Sequence, residues 1–165
     1  MAGEEQVRLA ELFPDSALAG DMLRARGWTV AVAESCTGGL LGAVLTAVPG
    51  SSAYVRGGVI AYDNAVKTGL LNVDAALVAR HGAVSEAVAS AMARGARQLL
   101  SADIGVGITG VAGPGEEGGK PAGLVYVAVA GPAGERVVRL DEDRGREGNR
   151  AAAVAAALRL LVGLR

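Results

Sequence analysis

The sequence is poor in aromatic residues and in the side chains that most often cross-link a chain or bind metals. Aromatic residues make up 3 % of the 165 residues, and there is one cysteine and one histidine. Because 51 % of the chain is hydrophobic, its core must consist mainly of Ala, Val, Leu and Ile, with 25 glycines available for close backbone approach. This composition is typical of a layered α/β domain. A single cysteine excludes an internal disulfide framework, so we expect a reducing, cytoplasmic environment.

Charge and hydropathy give no sign of a nucleic-acid or membrane partner. The formal net charge is −1 at pH 7, without the basic surplus typical of proteins that bind nucleic acid or anionic lipid. No apolar run approaches the ~18 residues of a membrane span, and the acidic stretch 1–13 lacks the apolar core of a signal peptide. His81 and Cys36 have no partners at zinc-ligand spacing, and a phosphate-loop motif is missing, so we expect no metal and no cofactor.

Strand and helix signals alternate along the chain and predict one domain covering residues 1–165. Strands are expected at 29–33, 57–62, 104–109, 124–129 and 136–140. Helices are expected at 16–26, 38–48, 63–71, 74–80, 85–101 and 150–164, while 1–13 form a short helix or a loose extension. A Gly/Pro turn before the last strand favours antiparallel pairing there. The predicted fold is a three-layer α/β/α sandwich with a mixed, mostly parallel sheet and one antiparallel strand pair near the C-terminal part.

The stretch 29–39 carries the first reactive groups. An apolar, β-branched run leads into Glu34-Ser35-Cys36-Thr37 and two glycines, and α/β sheets place reactive groups at the carboxyl ends of their strands. Ser35 is either a cap for the following helix or a nucleophile that needs a base. Cys36 is the alternative nucleophile, but no basic residue adjoins it in sequence, and a small buried hydrophobe is the commoner role for a free cysteine.

Lys67 is the candidate base, because a buried lysine can lose its charge and an arginine effectively cannot. The alternative interpretation is a solvated residue at the start of a short helix. Tyr62 precedes it by five residues at the end of a predicted strand. The Tyr62 hydroxyl is expected either to hydrogen-bond Ser35 or Lys67, or to face water.

Two further stretches are expected at the same edge of the sheet. Thr37-Gly38-Gly39 either offers backbone N–H groups to an anion or forms a plain tight turn. Thr109-Gly110 ends the third strand and can face the same crevice. The run 105–110 matches the dinucleotide-binding fingerprint, but it lies inside a strand and no helix follows it. That context argues against a nucleotide cofactor.

Several spaced motifs resemble the CinA C-terminal domain family, whose members are also called nicotinamide-nucleotide amidohydrolases. The matching stretches are Ala33-Glu34-Ser35-Cys36-Thr37-Gly38-Gly39, Gly50-Ser51-Ser52, Tyr62 with Asn64 and Lys67, Gly82-Ala83-Val84-Ser85-Glu86, and 107–114. The resemblance extends from about residue 16 to the C-terminus. Many relatives carry an additional N-terminal domain related to molybdopterin-binding proteins, and this chain resembles the stand-alone form.

The resemblance implies hydrolysis of nicotinamide mononucleotide to nicotinic acid mononucleotide and ammonia, in pyridine-nucleotide recycling. It places the family's catalytic serine, tyrosine and lysine at Ser35, Tyr62 and Lys67. In the expected mechanism Ser35 attacks the carboxamide carbon and neutral Lys67 takes its proton. Tyr62 orients the pair or passes the proton to ammonia, and backbone N–H groups at 36–39 or 51–52 stabilise the oxyanion. The substrate-binding residues are expected to be Cys36, Thr37, Gly38, Gly39, Ser51, Ser52, Thr109, Gly110 and Arg146.

Two departures from the family pattern affect how a substrate would be held. The family often has Gly-Asp-Arg before the last helix, whereas this chain has Arg144-Gly145-Arg146, which leaves Arg146 as the candidate for the phosphate. The loop after Gly115 is also short. The alternative to an enzyme is a module that binds a nucleotide, or a protein partner in competence or damage response, without turnover. A homodimer is expected, because family members often associate.

Overall fold

The computed structural model describes residues 8–164, which form five strands and seven α-helices. The strands are β1 (Val30–Glu34), β2 (Val55–Ile60), β3 (Ile104–Gly110), β4 (Val125–Gly131) and β5 (Gly134–Leu140). The helices are α1 (Leu9–Leu12), α2 (Asp15–Arg26), α3 (Leu40–Thr46), α4 (Asn64–Gly69), α5 (Ala75–His81), α6 (Glu86–Leu99) and α7 (Gly145–Val162). A 3₁₀ turn at Ser51–Ala53 precedes β2. Of the predicted N-terminal extension, residues 1–7 lie outside the described residues.

The five strands form one mixed sheet in the order β2-β1-β3-β4-β5. β1 pairs in parallel with both β2 and β3, and β4 pairs antiparallel with β3 and β5. The predicted α/β sandwich is confirmed, including the antiparallel β4–β5 hairpin. A second antiparallel pair joins β3 to β4, and the loop 111–124 between them contains no helix of the kind that usually connects parallel strands.

Alternate residues of each strand face opposite layers, and on β1 the two faces carry side chains of different size. On β1, Val30 and Val32 pack in a core of large aliphatic residues with α2, α3 and α7. Ala31 and Ala33 face the opposite layer, where α6 supplies Val88, Met92 and Ala96. Helices therefore cover both faces, as the three-layer prediction requires.

Glycines of β3 let α6 lie almost on the sheet. A Cβ at Gly107 would overlap the carbonyl oxygen of Ala89, and one at Gly105 would overlap that of Ala93. These are two of the glycines that match the dinucleotide fingerprint. Their function here is close helix–sheet packing, which requires the same missing side chain as close approach to a phosphate.

The parallel order places the carboxyl ends of β1, β2 and β3 at one edge of the sheet. β2 ends at Ile60, two residues earlier than predicted, so Tyr62 lies in the connection that follows it. α4 then begins after Asp63, whose carboxylate accepts a hydrogen bond from the N–H of Ala65 at 2.7 Å. This short capped helix turns the chain back over the sheet edge.

Replacing Gly107 tests the close packing of α6 on β3. Gly107→Ala should lower the free energy of unfolding by about 1–3 kcal/mol or more, because the new methyl group would overlap backbone atoms of Ala89 and Ala93, which cannot move aside without shifting α6. Gly69→Ala in α4 is the matched control, since a Cβ there meets no atom within 4 Å. It should be neutral or stabilising by up to about 1 kcal/mol. Equal denaturant midpoints for the two variants would contradict this account.

Candidate active site

A cavity of about 600 Å³ lies at the carboxyl edge of the sheet. Its walls come from the ends of β1 and β3, the α4 region, the α5–α6 connection, the loop 111–124 and the start of α7. The lining residues are Ser35, Cys36, Tyr62, Asn64, Lys67, 82–84, 109–118, Lys120 and Arg146. The structure thus brings together seven of the twelve predicted site residues, from four separate parts of the chain.

Ser35 and Lys67 are in direct contact at the floor of this cavity. Lys67 Nζ lies 3.0 Å from Ser35 Oγ, 2.8 Å from the carbonyl oxygen of Ala61 and 3.3 Å from that of Tyr62. Lys67 is 2 % exposed and Ser35 is 8 % exposed. A neutral lysine amine has two N–H donors and one lone pair. Two carbonyls can take its hydrogens, which leaves the lone pair for the Ser35 hydroxyl.

Burial shifts the pKa values of Lys67 and its neighbour Cys36 in opposite directions. Removal from water lowers the pKa of Lys67, an effect that nearby acidic groups partly offset. Burial raises the pKa of the Cys36 thiol to about 11. At neutral pH this cysteine is therefore a thiol and a weak nucleophile, while the lysine loses its proton more readily than a lysine in water.

The buried carboxylate of Glu34 stabilises the turn that follows β1. Its Oε1 accepts hydrogen bonds from Thr37 Oγ1 at 2.7 Å and from the N–H of Leu41 at 2.8 Å. Its Oε2 accepts from the N–H of Gly42 at 3.0 Å. Two N–H groups in the first turn of α3, those of Leu41 and Gly42, are therefore already bound to a carboxylate of the same chain.

The structure does not bring Thr37, Gly38 and Gly39 to the cavity with the other predicted substrate-binding residues. None of the three lines the cavity, and the Thr37 hydroxyl is taken up by Glu34. Gly38 and Gly39 have φ values of +60° and +101°, which favour glycine. They form a tight turn between β1 and α3, which was the alternative interpretation of this stretch.

Ser51 and Ser52 are also outside the cavity, because they lie at the opposite edge of the sheet. They precede β2, and Val55 of β2 pairs with Val30 at the start of β1. The five residue steps from Val30 to Ser35 therefore separate them from Ser35 by about 16–17 Å, at ~3.3 Å per residue. Ser51 Oγ donates to the carbonyl of Thr46 at 3.4 Å, so it closes the end of α3.

Arg150 of α7 binds the same turn, a contact that the sequence did not predict. Its Nε donates to the carbonyl of Cys36 and its Nη2 to that of Thr37, each at 3.2 Å. A guanidinium on α7 thus fixes the carbonyls beside Ser35. A single sequence carries no signal for this contact, since it joins residues more than 110 positions apart.

Tyr62 and Arg146 meet at the rim. The side chain of Tyr62 is among the exposed large ones, at 61 %, and its hydroxyl lies 3.4 Å from Arg146 Nη2. Arg146 Nη1 also donates to the carbonyl of Gly113 at 2.6 Å. Of the two alternatives for the Tyr62 hydroxyl, the structure agrees with exposure and not with a contact to Ser35 or Lys67. The Tyr62 carbonyl, in contrast, accepts a hydrogen bond from Lys67.

Thr109 and Gly110 line the cavity as predicted. Thr109 is 1 % exposed, and its hydroxyl donates to the carbonyl of Ala83 at 2.8 Å. Two residues outside the prediction also shape the walls. Asn149, buried at the start of α7, donates to the carbonyl of Ala112 at 2.9 Å. Lys120 donates to carbonyls of the α5–α6 connection.

Two classes of feature are missing from residues 8–164. Three or more His, Cys, Asp or Glu side chains do not come together there in a group that could bind a metal ion. No helix in this part of the chain has the length and apolarity to span a membrane.

The lowered pKa of Lys67 makes a prediction about stability against pH. The unfolded chain binds more protons at this residue between the folded value and the unfolded value of about 10.4, so the free energy of unfolding rises with pH across that window. Lys67→Met lacks this titration. Chemical unfolding from about pH 7 to 10.5 should show the wild type gaining stability relative to Lys67→Met, by about 1.4 kcal/mol for each pKa unit of depression. A difference that is flat or falls with pH would contradict a depressed pKa.

Comparisons with known proteins place these features in a family. The model of the CinA C-terminal domain matches residues 15–164. A CinA-like protein of Parasynechococcus marenigrum is 58 % identical over 130 residues, 76 % of this chain and 30 % of the relative. A putative competence-damage inducible protein of Halothermothrix orenii is 51 % identical over 152 residues, 90 % of this chain and 35 % of the relative. The chain therefore spans about a third of the length of the curated relatives it matches.

Solved structures agree over nearly the whole chain. The competence/damage inducible protein CihA of Agrobacterium tumefaciens matches with a TM-score of 0.86 and 37 % identity, covering 96 % of both chains. A competence-damaged protein (CinA) superfamily protein of Escherichia coli matches with a TM-score of 0.89 and 31 % identity, covering 98 % of this chain and 95 % of the other. On the sequence match, the shared fold and the coverage together, the chain belongs to the CinA C-terminal domain family.

Proposed function

We propose that this domain hydrolyses the carboxamide of nicotinamide mononucleotide to nicotinic acid mononucleotide and ammonia, with Ser35 as nucleophile and Lys67 as base. The observation that carries the proposal is the 3.0 Å contact between Lys67 Nζ and Ser35 Oγ, with both side chains buried beside an open cavity. Serine needs a partner that removes its proton, and a lysine with a lowered pKa supplies one without histidine.

Acylation uses the Lys67 amine twice. Ser35 Oγ attacks the carboxamide carbon as Lys67 Nζ takes the hydroxyl proton, which gives a tetrahedral oxyanion. Lys67 then returns that proton to the amide nitrogen as the C–N bond breaks, and ammonia leaves. The carbonyls of Ala61 and Tyr62 keep Nζ in place throughout, since they accept its other hydrogens in both charge states.

Deacylation repeats the sequence with water. Lys67 takes a proton from water, the hydroxide attacks the acyl carbon, and Ser35 leaves and regains its proton. For the oxyanion we assign the N–H of Cys36, because Cys36 is the member of 36–39 that lines the cavity and the N–H groups of Leu41 and Gly42 are bound to Glu34. One such donor is typically worth about 3–4 kcal/mol of transition-state stabilisation.

A cation of the cavity supports a substrate with an anionic group. Arg146 lines the cavity and forms no ion pair among residues 8–164, although Glu116 and Glu117 line the same cavity. Arg146 lies at the rim, bound to a carbonyl and a hydroxyl, so its charge remains available to a phosphate.

Ammonia release from a small substrate panel tests the proposal directly. Nicotinamide mononucleotide should be hydrolysed, with activity surviving exhaustive chelation. Nicotinamide riboside, which lacks the phosphate, should have a higher KM. Arg146→Gln should raise the KM for the nucleotide and leave that for the riboside nearly unchanged. Binding of the nucleotide without ammonia release would instead support a non-catalytic binding module.

The nucleophile is tested by matched changes at two adjacent residues. Ser35→Ala should reduce kcat by several orders of magnitude, about 10⁴-fold or more, because no covalent intermediate can form. Cys36→Ala should keep most of the activity, since its buried thiol stays protonated. Turnover and thermal unfolding are measured on the same preparations. An inactive Cys36→Ala alongside an active Ser35→Ala would assign the nucleophile to the cysteine.

Lys67→Arg separates proton transfer from simple charge. An arginine keeps a cation near Ser35, but its pKa stays above ~12 even when buried, so it cannot accept the serine proton. The value of kcat should fall by about 10²–10⁴-fold, the usual loss of a general base. Nucleotide binding, measured by calorimetry, should persist because the anion contacts lie elsewhere. Near-normal turnover with weakened binding would show that Lys67 holds the substrate instead.

A further inference from the structure

Side chains bind the carbonyls of four consecutive residues, 81–84, where the chain passes from the end of α5 towards α6. Lys120 Nζ donates to the carbonyl of His81 at 2.9 Å and to that of Val84. The two carbonyls between them accept hydroxyl donors: Ser85 Oγ at 3.0 Å for Gly82 and Thr109 Oγ1 at 2.8 Å for Ala83. Since residues 82–84 line the cavity, these side chains determine the position of one of its walls.

Lys120 belongs to the facing wall, the loop 111–124. The backbones of Glu117 and Lys120 bridge each other in both directions, at 2.9 and 3.0 Å, so Lys120 stands at the end of a closed turn. The start of the same loop is held by Asn149 and Arg146, through the carbonyls of Ala112 and Gly113. Lys120 supplies the side-chain anchor at the other end of the loop.

An ammonium group suits this position better than a neutral donor. His81 is the last residue of α5, and the carbonyls at the end of a helix carry partial negative charge. Hydrogen bonds from a charged donor are also stronger than those from a neutral one. Gly82 has φ +80°, and a Cβ there would lie 3.1 Å from Lys120 Nζ, so the connection passes closely around the ammonium.

We propose that Lys120 is a positioning residue, which ties the loop 111–124 to the α5–α6 connection and so sets the width of the cavity. This rests on the proposed amidase function of the same site. Its Nζ contacts backbone carbonyls and neither Ser35 nor Lys67, so the chemical step itself should be largely independent of it. Lys120 should therefore affect how tightly the nucleotide is held.

Lys120→Met tests the link between the loop 111–124 and the α5–α6 connection, because methionine keeps most of the side-chain length and lacks the charge and the hydrogen-bond donors. The KM for nicotinamide mononucleotide should rise by roughly 10–100-fold, with kcat changed by only about three-fold and the pH profile of kcat unchanged. Hydrogen exchange followed by mass spectrometry should show faster exchange in 111–124 and 82–85, with the strands unaffected.

A rescue experiment separates positioning from general damage. Lys120→Cys treated with 2-bromoethylamine regains an ammonium at the reach of lysine, and should recover the wild-type KM and exchange rates. The wild type treated in parallel reports any reaction at Cys36.

Three results would overturn the proposal. The first is an unchanged KM together with unchanged exchange, and the second is a fall in kcat and melting temperature at constant KM. The third is a failed rescue in the aminoethylated protein despite complete modification. If the wild type does not release ammonia, the amidase function is refuted instead. The hydrogen-exchange measurement then tests the link between the loop 111–124 and the α5–α6 connection without kinetics, and unchanged exchange in Lys120→Met would refute that link.

Discussion

Burial of one lysine amine among three oxygens is the constraint on which the site depends. A buried ammonium is costly unless its hydrogens find acceptors, and the same burial favours the neutral base that the chemistry requires. Parallel pairing of β1 with β2 brings Ser35 and the carbonyls of Ala61 and Tyr62 to one sheet edge. α4, capped by Asp63, then returns Lys67 onto all three. Orientation of the base comes from backbone carbonyls, so no histidine or further carboxylate is needed.

The start of α7 connects the nucleophile to the rest of the cavity. Arg150 binds the carbonyls beside Ser35, while Asn149 and Arg146 bind the start of the loop 111–124. At the same turn, Glu34 binds two N–H groups at the start of α3. Two buried or half-buried charges of opposite sign therefore fix the Ser35 turn without touching its hydroxyl, which leaves that hydroxyl to Lys67 alone.

Local patterns predicted the layers and most strand and helix positions, because hydrophobic period and helix caps are local properties. They named Ser35 and Lys67 as candidates, and the family resemblance then assigned the two as a pair. The distance of a residue from the site and the direction in which its side chain points were harder to predict. Ser51 and Ser52 were grouped with the site by motif, although a residue before a parallel strand lies at its amino edge. The Tyr62 side chain turned outward, which no sequence pattern specifies. The ties of Lys120 join a side chain to carbonyls 36 and 39 residues away, and every residue offers a carbonyl.

The central claim is that Lys67 gives up its proton easily enough to act as a base. Two lysines in the whole chain make a direct measurement practical. With ¹³C at the lysine ε position, the protein should show two side-chain NMR signals, and Lys120→Met removes one and so assigns the other. We expect the Lys67 signal to titrate with a midpoint clearly below the ~10.4 of a free lysine side chain. A midpoint at or above that value, in a folded and active protein, would contradict the account.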